Sequence, residues 1–193
     1  IFRWGLLSRL IRFLVSPIPK LKSQNDTRTV RDIISSLRSG ASVCVFPEGD
    51  RSWCGETEEI LPSIGKLAAR VPAGLVLSRI RGGYLTTPRW GDKARRGRME
   101  CAPVLELLPD EIRAMGEERL TELIVRELRV SAAADQRQWK VCYSGKNLAQ
   151  SIETVLYVCP ACGGFATIRS SGDTAWCGCG LRFTYGCMGT LEG

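Results

Sequence analysis

A layered α/β domain with flanking helices, followed by a small C-terminal zinc ribbon, is the fold class this sequence predicts, on three observations. A segment with helical apolar spacing runs into a β-branched stretch and then into the turn-rich loop FPEGDRS, the order helix, strand, loop of an α/β layer protein. Helical and strand-like segments go on alternating to about residue 128. Beyond residue 158 the composition changes, and a Cys-x-x-Cys and a Cys-x-Cys pair are separated by fourteen intervening residues.

The elements follow in order. SPIPKLKSQND, with two prolines, reads as a loop or short edge strand. Asp26 or Thr27 can cap a helix whose Val30, Ile33, Ile34 and Leu37 fall at i, i+3, i+4 and i+7, and Gly40 ends it. SVCVF at 42–46 reads as a buried strand that delivers the chain into PEGDRS. SIGKLAARV predicts a short helix, GLVLSRI a second buried strand, and GGYLTTPRWGDKARRGR a long basic connection. RMECAPVLEL predicts a further strand, placed at an edge or bulge by Pro103. One helix is expected over 109–128, capped by Asp110, with Leu120, Leu123, Ile124 and Leu128 on its apolar face. The connection that follows has weak helical character only near 148–156. The segments expected are therefore a first domain at 1–130, a connection at 131–157 and the ribbon at 158–193.

At 193 residues, 44% of them hydrophobic and 24% charged, the chain has the profile of a folded protein with one core and a small appendage. Its net charge of +7 is unevenly placed. Arg3, Arg9, Arg12, Lys20 and Lys22 precede the first acidic residue, and Arg79, Arg81, Arg89, Lys93, Arg95, Arg96 and Arg98 form a second cluster with Asp92 inside it. Such stripes suit nucleic acid, anionic lipid headgroups or an acidic substrate, and charge alone does not choose among them. No stretch reaches the roughly 18 uninterrupted apolar residues of a membrane span. IFRWGLLSRLIRFLV reads either as a helix lying on a membrane surface or as an amphipathic helix packed on the core. The nine cysteines are odd in number and clustered, which points to a reducing cytoplasm and a metal site rather than a secreted disulfide framework. Cys44, Cys54, Cys101 and Cys142 read as buried or incidental thiols.

FPEGDRS has the residue types of an anion-binding loop. Pro47 stiffens the turn and Gly49 lets the backbone come close to a ligand. Arg51 offers a planar fork of donors matched to phosphate, Glu48 can accept from a substrate hydroxyl or orient the arginine, and Ser52 adds a small donor. A strand-ending turn with a surface Glu–Arg pair is the bland alternative.

With the helix before it, VFPEGDRS resembles the glycerolipid acyltransferase family, whose Phe-Pro-Glu-Gly-x-Arg-Ser motif is matched at Phe46, Pro47, Glu48, Gly49, Arg51 and Ser52. GKLAARVPAGLVLSRI is similar to the family's next helix and strand, with one of its two motif prolines, Pro72, present. Lys20 stands where the family carries a phosphate-binding arginine. The resemblance covers about residues 1–128 and implies a glycerolipid-acyltransferase-like layered sheet. It implies a 1-acylglycerol-3-phosphate O-acyltransferase that moves an acyl chain from coenzyme A or acyl carrier protein thioester to lysophosphatidate. Glu48, Gly49, Arg51, Ser52 and Lys20 would hold the acceptor. The family's general base lies in a His-x-x-x-x-Asp motif, and this chain has no histidine, so no catalytic residue is assigned. Because the sequence opens at Ile1 inside an apolar-basic pattern, the motif is expected upstream and the 193-residue piece alone is expected to be inactive. The resemblance also implies peripheral attachment to the inner face of the cell membrane, where Trp4, Trp90 and their arginines would meet anionic lipid. The alternatives are a non-catalytic lipid- or nucleic-acid-binding module on the same scaffold, and an acyltransferase with another acceptor such as glycerol 3-phosphate.

VCPACGG and WCGCGL supply Cys159, Cys162, Cys177 and Cys179, two thiolate pairs each followed by glycine. This is the spacing of zinc knuckles, and four sulfur ligands imply a structural zinc. FATIRSSGDTAW between them reads as a hairpin turning at SGD, and RFTY as a third strand. Arg169 and Arg182 are the ribbon's only basic residues, which argues against nucleic acid. Cys187 reads as a bystander.

Overall fold

Helix and sheet are mixed in the computed structural model, which describes residues 27–71 and 73–193 together with Arg9, Phe13, Pro17 and Ile18. Its elements begin with α1 (Thr27–Arg38), α2 (Ser63–Arg70), β1 (Leu75–Arg81), α3 (Gly83–Thr86) and β2 (Glu100–Leu107). They continue with α4 (Pro109–Met115), α5 (Glu117–Glu127), α6 (Ala132–Trp139) and a single 3-10 turn at Ile152–Thr154. The last four are β3 (Ile168–Ser171), β4 (Thr174–Cys177), β5 (Arg182–Tyr185) and β6 (Leu191–Glu192). The expected surface helix at 1–15, Lys20, the caps at Asp26 and Pro72 lie outside the described residues, apart from Arg9 and Phe13.

Among the described residues two small antiparallel sheets carry the strands, ordered β1-β2 and β3-β4-β5-β6. In the first sheet Leu77 faces Leu105 while Ser78 faces Pro103, so Val104 is the extra residue of a bulge. Proline cannot donate to the ladder, and the break falls beside it as expected. One face of this sheet packs on α2, α4 and α5 through Ala68, Leu77, Leu107, Ile112, Leu120 and Ile124. The approach of α2 to α5 is close: a Cβ on Gly65 would lie 3.0 Å from the Glu117 carbonyl oxygen and 2.9 Å from Thr121 Cβ. Only glycine fits there.

The sequence reading needs correction at four places. SVCVF is not a strand. Residues 41–46 run without regular secondary structure, and Val45 and Phe46 are exposed, Phe46 by 70%. β-branched residues favour extended backbone, but a strand needs an edge to pair with, and among the described residues none pairs with 42–46. The helix expected at 109–128 is broken at Gly116, whose φ of 80° and ψ of 163° are open to glycine alone. Asp110 is not its cap; Leu108 is the cap residue, and the Glu111 carboxylate accepts from the Leu108 N–H at 2.7 Å. The connection holds a full helix, α6, capped by Ser131 Oγ, which accepts from the Ala134 N–H at 3.2 Å.

Gly116→Ala is expected to cost about 1–3 kcal/mol, because alanine must leave that region and drag α4 or α5 with it. Urea denaturation measures this. A midpoint equal to wild type would show that the break between the helices tolerates a side chain.

Candidate functional site

The 45–53 loop is built by its own backbone and by two distant partners. Gly49 N–H donates to the Phe46 carbonyl at 3.1 Å, closing a turn in which Gly49 has φ of 72°. The Glu48 carboxylate accepts from the Glu58 N–H at 2.9 Å, and the Glu58 carboxylate accepts from the Trp53 N–H at 3.1 Å. These exchanges fold 48–58 back on itself. Ser52 Oγ accepts from the Gly55 N–H at 2.8 Å, which leaves its own proton available. Asp50 pairs with Arg89 at 3.1 Å, so its charge is compensated within the loop's own scaffold.

Arg51 is held by its backbone alone. Its N–H donates to Asp50 Oδ1 at 2.9 Å and its carbonyl accepts from Arg89 at 3.1 Å. The guanidinium itself is exposed and has no partner among the described residues. Glu48, Asp50, Arg51 and Ser52 line a cavity of about 720 Å³ whose other walls are mostly apolar, with Glu56, Thr57, Ser78 and Arg79 among them. Leu37, Val45, Phe46, Leu67, Val76 and Ile80 form those walls, with buried Leu77, Ile112 and Ile124 beneath. Gly49 stands outside the lining, exposed in its turn, and among the described residues no atom beyond its chain neighbours lies within 4 Å of where a Cβ would be. Of the expected acceptor-binding residues, Glu48, Arg51 and Ser52 therefore share one cavity and Gly49 shapes the turn beside it. Glu48 bonds to backbone and does not orient Arg51.

Sequence reasoning missed Arg89 and Glu58, which lie 38 and five residues from the groups they hold. Within its segment Arg89 is one basic residue among seven, and no local signal separates it. The second basic cluster is also less free than its sequence suggests. Arg79 pairs with Glu127 at 3.1 Å, Arg81 with Asp135 at 2.6 Å and Arg98 with Glu100 at 2.8 Å. Trp90 is buried and makes no part of an exposed face.

A second candidate centre is the cysteine cluster. Cys159, Cys162, Cys177 and Cys179 bring their sulfurs within 4.8 Å of one another, and Cys159–Cys179 and Cys162–Cys177 stand at 3.8 Å. A tetrahedron with metal–sulfur bonds of about 2.3 Å has edges of roughly 3.8 Å, so the cluster matches a metal ion such as zinc. The Cys179 N–H and the Thr167 hydroxyl, 3.2 Å from Cys177 Sγ, hold the Cys177 thiol down to about 6, while the neighbouring sulfurs outweigh the Leu181 N–H and push Cys179 up to about 11. The hairpin expected at SGD is present, with Gly172 at φ of 63° between β3 and β4. RFTY forms β5.

The ribbon's core extends past the sequence boundary at 158. Ile168, Ala175, Phe183 and Tyr185 pack with Leu148, Ala149, Ile152 and Trp90. Two cysteines read as incidental, Cys142 and Cys187, form a disulfide with Cα atoms 4.9 Å apart. The Tyr143 N–H donates to the Cys187 carbonyl at 2.7 Å and brings the two together. Forty-five residues separate them, and nothing in either neighbourhood marks the pair. Cys44, Cys54 and Cys101 are exposed, not buried.

Compared with family models, curated proteins and solved structures, the chain has no significant match.

Proposed function

We propose that the 45–53 loop and its cavity bind a phosphate-bearing monoacyl lipid, lysophosphatidate, and that the chain is the acceptor-binding part of a 1-acylglycerol-3-phosphate O-acyltransferase. The observation that carries this is Arg51: an exposed guanidinium with no partner among the described residues, at the edge of an apolar cavity. A headgroup phosphate would take both arms of the fork, with Ser52 Oγ–H as a further donor, and the single acyl chain would lie against Leu37, Val45 and Leu67. The resemblance of FPEGDRS to the acyltransferase motif supports the same reading. The acyl donor would be a coenzyme A or carrier-protein thioester. With no histidine in the sequence, the base that activates the acceptor hydroxyl is not supplied by these residues. That absence also favours a second reading, a lipid-binding module that performs no transfer.

Among the described residues no helix is long and apolar enough to cross a membrane. We place the protein peripherally on the cytoplasmic membrane face, drawn there by its net positive charge. The four cysteines would hold one structural zinc, with no open position for chemistry.

Calorimetric titration with a short-chain lysophosphatidate, against the neutral monoacylglycerol of the same chain length, tests the loop's role. The phosphate lipid is expected to bind at least about tenfold tighter, the value of one charge-assisted contact. Equal affinities would remove the basis for a phosphate site.

A further inference from the structure

The turn at 88–91, closed by the Gly91 N–H on the Pro88 carbonyl at 3.1 Å, carries two adjacent side chains to different neighbours. Arg89 reaches the 45–53 loop. One arm of its guanidinium meets Asp50 Oδ2 at 3.1 Å and another donates to the Arg51 carbonyl at 3.1 Å. Its plane lies 4.2 Å from the centre of the Trp53 ring. Three residues of the loop are thus held by one side chain that is itself only 27% exposed. Trp90 enters the ribbon's core. It meets Tyr185 of β5 edge-to-face at 5.3 Å and donates to Tyr84 Oη at 3.0 Å. Buried Arg95 stacks on both rings, 5.1 Å from Trp90 and 4.8 Å from Tyr185, and donates to the Leu148 carbonyl at 2.7 Å. Ser151 Oγ and Asp92 Oδ1, 3.2 Å apart, add a hydrogen bond between the segment after the turn and the ribbon side.

We infer that Arg89 is a positioning residue for the anion-binding loop, and that the cysteine-bound ribbon holds it in place through Trp90. The inference rests on the proposed role of Arg51 and assigns the ribbon a task within it. A planar guanidinium can satisfy a carboxylate, a carbonyl and an aromatic face at once, which a lysine cannot. Because Arg89 grips the carbonyl of Arg51, it fixes the backbone from which the phosphate-binding side chain projects. Because Trp90 is locked between Tyr84, Arg95 and Tyr185, Arg89 cannot swing away unless the ribbon's strands loosen. Binding of metal by the four cysteines, which orders β4 and β5, would then be felt at Trp53 and Arg51.

Fluorotryptophan-labelled, zinc-loaded chain tests this, with the Trp53 fluorine signal assigned by Trp53→Phe. Trp139, stacked between Arg81 and Arg98 at 4.4 and 4.3 Å, serves as an internal control for general unfolding. Arg89→Ala is expected to move the Trp53 signal, leave Trp139 in place and weaken lysophosphatidate binding about tenfold. Arg89→Lys keeps a charge opposite Asp50 and is expected to recover part of that affinity. Tyr185→Leu, which removes the ring against Trp90 and keeps all four cysteines, and removal of zinc by chelation are each expected to move the Trp53 signal as well. A Trp53 signal and an affinity both unchanged in Arg89→Ala would overturn the positioning role. A Trp53 signal indifferent to Tyr185→Leu and to chelation would overturn the ribbon's part. If the wild-type chain binds no lysophosphatidate, the assignment of Arg51 fails, and the Trp53 signal alone decides whether Arg89 sets the loop's shape.

Discussion

Cys159→Ser is expected to abolish zinc binding and unfold the ribbon while leaving the helix-packed sheet β1-β2 folded. The reasoning is one of scale. Structural zinc sites contribute about 10–16 kcal/mol of apparent binding free energy near neutral pH. The ribbon's own strands are four residues long at most, and of the ten buried residues in its core four, Trp90, Leu148, Ala149 and Ile152, come from before residue 158. Burying them yields only about 1.5–3 kcal/mol each, against an ordering cost of similar size per few residues. A serine at 159 removes a ligand from the most buried corner of the cluster, where Cys159 is 1% exposed. Plasma mass spectrometry should report about one zinc per wild-type chain and none in the variant. Thermal melting should show a new low-temperature transition in the variant. Full zinc occupancy in Cys159→Ser would mean that the four sulfurs are not the ligand set.

Arg51→Ala is expected to weaken lysophosphatidate binding by roughly 30- to 1,000-fold, the equivalent of about 2–4 kcal/mol for a bidentate charge-assisted contact. Arg51→Lys restores the charge without the fork and should fall between the two. Stability should hardly change in either variant, because the Arg51 side chain has no partner among the described residues to lose. Affinity for the neutral monoacylglycerol should also be unaffected, since its chain meets only the apolar walls. An Arg51→Ala chain that binds lysophosphatidate as wild type does would assign the headgroup to other residues.

What the sequence made legible was local. Period-3.6 spacing marked α1, α2 and α5, Pro103 marked a bulge, and the cysteine spacing marked a cluster that the fold assembles into one tetrahedron-sized group. What it obscured was relational. SVCVF has strand composition, but pairing is a property of two segments and its partner cannot be read from five residues. Gly116 lies inside a helical pattern, where one glycine costs a helix only about 1 kcal/mol; its backbone angles, φ 80° and ψ 163°, decide the break. The turn at Pro47 and Gly49 was legible from its residue types, whereas its supports were not. Arg89 and Trp90 are ordinary members of a basic, turn-rich stretch until the fold places one against Asp50 and the other against Tyr185. The Cys142–Cys187 bond belongs to the same class, fixed by where two distant segments meet.

The most direct measurement is photocrosslinking with a lysophosphatidate carrying a diazirine at the end of its acyl chain, followed by peptide mapping. With the phosphate on Arg51 and the chain in the cavity, label is predicted on wall residues such as Leu37, Leu67, Val76 and Ile80, and is predicted to be lost in Arg51→Ala. Label spread over exposed basic segments and unchanged by Arg51→Ala would contradict the account.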